Sequence, residues 1–173
     1  ESHPLHGEET VELRHMTAKE EDILTSQALI KKGVALDRVI DSLIVDKNVK
    51  AANLLIGDKN ALLIAARITG FGPEYNTAVT CPSCLKAHTT TFNLEELTTK
   101  EIPETPEGVE HLENGNYAIT FEQYDGLEVE LKLLTGADEK KVAARREKRK
   151  KMKLPDTNIT DQLEAIIARV NDI

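Results

Sequence analysis

Leu36, Val39, Ile40, Leu43 and Ile44 recur at spacings of three and four, which puts them on one face of a helix. Upstream, Val11, Leu13 and His15 alternate with polar neighbours, as in a short strand. Thr17 followed three residues on by Glu20 has the form of a capping box and predicts a helix from about Ala18 to Ile30 that stops at Gly33. A third helix is predicted to start after Gly57, with Asp58 as N-cap, and to run through Leu62, Leu63, Ile64, Ala65, Ala66 and Ile68 to Gly70. It is apolar around most of its circumference, so it is expected at the centre of a helical core. The first ten residues, with Pro4, Gly7, His3 and His6, read as an irregular lead.

Beyond Gly72 and Pro73 the period shortens from helical to alternating. Tyr75 to Thr80 and His88 to Leu94 are rich in Thr and Val, and the Cys-Pro-Ser-Cys turn between them suggests a hairpin. Glu95 to Glu113, with Pro103, Pro106 and Gly108, reads as a surface loop. Ala118 to Glu122 and Val129 to Leu133 alternate on either side of Asp125-Gly126, predicting a second antiparallel pair. Thr135 and Asp138 repeat the capping-box spacing at the head of a basic helix that Pro155 ends, and Leu163, Ile166, Ile167 and Val170 then make an amphipathic helical stripe. The pattern predicts an α+β chain in three segments. These are a helical unit over 1–72, an antiparallel four-stranded middle with a Cys-Pro-x-Cys knuckle over 73–135, and a helical arm over 136–173.

Composition narrows the function classes. At 173 residues the chain is long enough for one domain that buries roughly 70% of its unfolded surface. Aromatics are only 3% and tryptophan is absent, so the core must rest on aliphatic side chains and an aromatic-lined ligand pocket is not expected. No apolar run approaches the roughly 20 residues of a membrane span, and no membrane partner is expected. The formal charge of -8 is uneven: residues 140–153 hold nine bases and the single acid Glu147, a local +8, which leaves -16 elsewhere. Phosphate could attract that segment, but it lacks stacking aromatics, so nucleic acid is not the expected partner. Arg145, Arg146 and Arg149 are expected instead to steer the stripe of Leu163, Ile166, Ile167 and Val170 onto an acidic protein surface. Removal of residues 154–173 is then expected to abolish docking and to leave the rest folded.

Cys81-Pro82-Ser83-Cys84 is the most pointed chemical feature, because two thiolates on a tight turn can chelate one tetrahedral ion. Zinc is the one cofactor the sequence makes room for, with His88 as a third ligand and His111 as a distant fourth. Four readings stay open. They are a complete site within the chain, a site shared with another subunit, a turn kept without metal, and a dithiol redox pair. The residues favour the turn, and Leu85 to Thr91 make a poor helix start, which weighs against redox use. No nucleophile elbow or phosphate-binding glycine loop accompanies these features, and no catalytic residue is assigned.

Taken in order, Met16-Thr17-Ala18-Lys19-Glu20-Glu21-Asp22-Ile23-Leu24, Gly57-Asp58, Ala65-Ala66-Arg67-Ile68, Gly72, Tyr75, the Cys81 to Cys84 knuckle, Phe92-Asn93-Leu94 and Leu133-Leu134-Thr135 form a series spanning Val11 to Asp172. In this order the chain resembles the baseplate hub family of T-even-like contractile-tailed bacteriophages, which is related to tail assembly chaperones. The resemblance implies a non-enzymatic structural or assembly protein of the virion tail, put together in the host cytoplasm. Its implied partners are other hub or tail proteins, the tape-measure protein among them. A zinc-ribbon nucleic-acid adaptor is the alternative the same residues allow.

Overall fold

In a computed structural model, described for residues 4, 5, 7–99, 106 and 108–171, the chain is α+β. Its residues group into two compact units. One takes Val11–Lys47 and the described part of residues 60–101; the other takes Asn48–Lys59 and the described parts of residues 1–10 and 102–173. This grouping interleaves the three consecutive segments read from the sequence. His3, His6 and Pro103 lie outside the described residues.

In the first unit, Thr17 and Glu20 open α1 (Ala18–Thr25), as their spacing predicts: the Glu20 carboxylate accepts from the Thr17 amide at 2.9 Å. The expected continuous helix is broken at Ser26, whose backbone is extended, and α2 (Gln27–Lys31) restarts from it, with Leu29 and Ile30 amides on the Ser26 carbonyl. Thr25 meanwhile turns its hydroxyl onto the Glu21 carbonyl at 2.8 Å, the local competition that makes hydroxyl residues weak inside helices. Gly33, at φ +66°, ends α2 where expected.

The predicted apolar face forms α3 (Ala35–Leu43), which buries Val39, Ile40 and Leu43, with Ile44 following. Val39, Leu43 and Ala66 make the centre of the cluster, and Leu13, Met16, Ile23 and Leu24 pack around it. The strand expected over Val11 to His15 is reduced to one antiparallel bridge, Leu13 opposite Ile44.

Helix α4 (Ile56–Phe71) departs from expectation in position and in depth. It starts ahead of Gly57, so Asp58 sits in its first turn instead of capping it. Ala66 is its one fully buried apolar residue among those described, while Leu62, Leu63, Ile64 and Ile68 are half-buried. The core sits on α3, whose apolar residues converge on a single face. The C-terminal end of α4 is held by Arg67, which donates to the Gly72 carbonyl at 2.8 Å and the Glu74 carbonyl at 3.0 Å and lies over the Phe71 ring. The unit closes with the hairpin β1 (Glu74–Thr80) and β2 (Ala87–Asn93), in register from Glu74 opposite Asn93 to Thr80 opposite Ala87.

The second unit is built on an antiparallel sheet of four strands in the order β3 (Val109–His111), β4 (Tyr117–Phe121), β5 (Leu127–Leu131) and β6 (Ile167–Val170). The β4–β5 turn uses Asp125 and Gly126, both left-handed, as the Asp-Gly pair predicts. Strand β3 lies inside the segment read as a loop, and β6 replaces the end of the expected helical stripe. The basic helix is α5 (Gly136–Lys151), opened by the Thr135 and Asp138 capping box. After it, α6 (Asn158–Ile166) passes directly into β6 at Ile167. Residues 51–55 lie along the start of α5, with the Gly136 amide on the Leu54 carbonyl and the Ala137 amide on the Ala52 carbonyl. A Cβ at Gly136 would stand 2.6 Å from the Ala51 carbonyl oxygen, so only glycine fits there without a shift.

Candidate interaction surface

The three arginines expected to face a partner are engaged with groups of their own chain, Arg145 and Arg146 in exposed ion pairs. Arg145 pairs with Glu164 and, at 3.5 Å, with Asp161, both on α6; Arg146 pairs with Asp156 at 3.5 Å; and Arg149 donates to the Pro155 carbonyl at 3.2 Å. The Glu164 hydrogen bond, then the Asp161 one, raises the Arg145 pKa above its ordinary value. Asp161 is buried and also accepts from the Thr157 hydroxyl at 2.9 Å. Arg145 therefore ties α5 to α6, while Arg146 and Arg149 hold residues 155 and 156 just ahead of it. The free bases left on the outside of this segment are lysines, Lys148, Lys150, Lys151 and Lys153 being exposed.

The expected apolar stripe is divided between two elements. Leu163 and Ile166 are on α6, whereas Ile167 and Val170 are ladder residues of β6, opposite Leu131 and Val129 of β5. The exposed face of α6 is set instead by Ile159 and Leu163, one helical turn apart and 73% and 52% exposed. Ile159 lies ahead of the stripe read from the sequence, which begins at Leu163; the helix starts at Asn158, whose amide donates to Asp156 at 3.1 Å. Between α5 and the segment that follows it is a cleft of about 810 Å³. Ile56, Leu134, Val142, Ala143, Leu154 and Pro155 give it an apolar lining, and Arg149 and Lys150 stand among its polar groups.

At the other candidate site, Cys81 and Cys84 are free thiols on the turn joining β1 and β2, Cys84 exposed and Cys81 half-buried. The Leu85 amide donates to the Cys81 carbonyl at 2.8 Å and the Cys81 amide to the Lys86 carbonyl at 3.0 Å. The amides of Cys84 and Ser83 and the Cys84 side chain bond to the Cys81 sulfur and lower its pKa. His88 is opposite Val79 in the ladder, and His111 packs against Tyr117 with ring centroids 5.0 Å apart and ring planes tilted by 46°. Among the described residues no three of His, Cys, Asp and Glu stand together as a metal-binding group.

The buried carboxylates are consumed by structure. Burial alone would raise the Glu20 pKa, but hydrogen bonds from Arg14, Ser42 and Thr17 outweigh it and hold the carboxyl far below its ordinary range. Asp138 follows the same balance, with Lys132 at 3.0 Å and Thr135 as its partners. Glu130 is lowered by Asn116 at 2.6 Å and Asn114 at 2.9 Å, with Arg169 of β6 at 3.1 Å completing its shell. Each ties separate pieces of backbone together.

A family model described as T4 bacteriophage base plate protein matches residues 2–172. Neither the curated proteins nor the solved structures give a match to the chain.

Proposed function

Because the chain belongs to the family of T4 bacteriophage base plate proteins, we propose that it is a component of the baseplate hub that works through protein–protein contacts and not through catalysis. Membership makes it a structural component of the phage tail baseplate, and so of the virion. The hub position, assembly in the host cytoplasm and the identity of its neighbours, including the tape-measure protein, are the finer parts of the proposal.

One observation carries the contact reading. Helix α6 is anchored from α5 through Arg145, yet it leaves Ile159 and Leu163 largely in water. A formed helix with large aliphatic side chains exposed is suited to docking, because its backbone is already ordered before the partner arrives. The matching surface is an apolar strip flanked by acids, since the bases left outside α5 are lysines that would draw carboxylates.

The double variant Ile159→Asp/Leu163→Asp tests this. Mass spectrometry of purified particles should find the wild-type chain in the baseplate and the variant absent, with the variant's circular dichroism unchanged. Incorporation of the variant at wild-type level would overturn the reading.

A further inference from the structure

We propose that Cys81 and Cys84 form half of a tetrahedral zinc site, which a second copy of this chain completes through the same two residues. The argument starts from the turn. Leu85 adopts φ +56°, a left-handed conformation that a residue with a Cβ rarely takes. The turn is closed by the Leu85 amide on the Cys81 carbonyl at 2.8 Å and the Cys81 amide on the Lys86 carbonyl at 3.0 Å. Both cysteines are free thiols on this one turn, three residues apart, the spacing at which a tight turn can present two sulfurs to one ion.

Two thiolates satisfy half of a structural zinc ion, which is almost always four-coordinate. The described residues of the chain supply no third ligand beside them. A two-fold axis through the ion doubles the pair to four thiolates, the symmetric solution open to two identical hairpin tips. Charge favours it as well. Residues 75–93 carry one formal charge, that of Lys86, although the whole chain is at -8, so two tips approach without the repulsion that two acidic bodies would meet. A zinc ion with four thiolates has a net charge of about -2, and the two Lys86 side chains, each two residues past Cys84, offset it.

The experiment uses the full chain, reduced and metal-free, titrated with zinc and followed by native mass spectrometry; cobalt then replaces zinc for absorption spectroscopy. The expected result is a dimer holding one metal ion, with the intense thiolate-to-cobalt bands of a four-sulfur site, and return to monomer with a chelator. Cys81→Ser and Cys84→Ser should each abolish both dimer and metal, while circular dichroism reports an unchanged fold. His88→Ala should retain both. Absence of zinc binding, one zinc per monomer, or loss of metal in His88→Ala would each overturn the proposal. These readouts need no phage particle, so they stand or fall apart from the baseplate reading.

Discussion

At the scale of single residues, Glu20 shows how this protein uses buried charge. Its side chain is fully buried, and its two oxygens accept from the Arg14 guanidinium, the Ser42 hydroxyl at 2.6 Å, and the Thr17 amide and hydroxyl at 2.9 and 2.8 Å. Arg14 is still 36% exposed, so part of the ion-pair energy is screened and the expected cost of Glu20→Ala is discounted to about 2–3 kcal/mol from the larger penalty of breaking a fully buried pair. The sign of its pH dependence follows from the lowered folded pKa. The carboxylate's contribution is complete above its unfolded value near 4.5 and is lost as pH falls toward the lower folded value. Thermal unfolding from pH 7 down to pH 3 should therefore show the wild type losing its advantage over Glu20→Gln below about pH 4.5. A gap between the two proteins that stays constant across that range would contradict the assignment. Glu130 and Asp138, also lowered, add to the wild type's acid sensitivity without changing the comparison.

At the scale of elements, β6 separates what the sequence could disclose from what it could not. Both capping boxes, both hairpins and the apolar face of α3 are local signals, written within a few residues of one another, and all were legible. Leu-Glu-Ala-Ile-Ile-Ala-Arg-Val reads as uninterrupted amphipathic helix, and nothing local ends it at Ile166. Pairing with β5, some forty residues upstream, converts the last four residues to strand, with Val170 opposite Val129 and Arg169 reaching Glu130. The same distance hid the arginine clasp, because Arg145 finds Asp161 and Glu164 only once the chain has turned back after α5. A three-residue strand such as β3 carries too short a period to be read.

The expectation that residues 154–173 form a removable arm is corrected by this pairing. A chain ending at Ile166 loses the β5–β6 ladder and leaves the buried Glu130 without its arginine. With each lost backbone bond costing about 1 kcal/mol, this should amount to about 3 kcal/mol, a fall in melting temperature of roughly 6–12 °C. An unchanged melting temperature would mean that β6 is not part of the folded sheet.

At the scale of the whole molecule, the uneven charge decides how a partner is approached. The +8 of residues 140–153 suggests strong attraction to any polyanion, but Arg145 and Arg146 already face acids of their own chain and Arg149 faces a carbonyl. What remains outside is chiefly lysine, set in a chain whose other residues sum to -16, so the outward field is local and weak. Such a patch accelerates encounter with an acidic surface more than it tightens the final complex. Binding of this chain to baseplates assembled without it, followed by surface kinetics, should accordingly show association slowed about tenfold in Lys148→Glu/Lys151→Glu, with dissociation nearly unchanged. Raising salt from 50 to 200 mM should weaken wild-type binding by far less than the roughly thousandfold or greater loss expected of a protein neutralising six or more phosphates. A loss of that size, together with tight binding to duplex DNA, would show that the basic helix serves phosphate. Arg145 would then have to leave Asp161 and Glu164, and the tie between α5 and the helix that carries Ile159 and Leu163 would open.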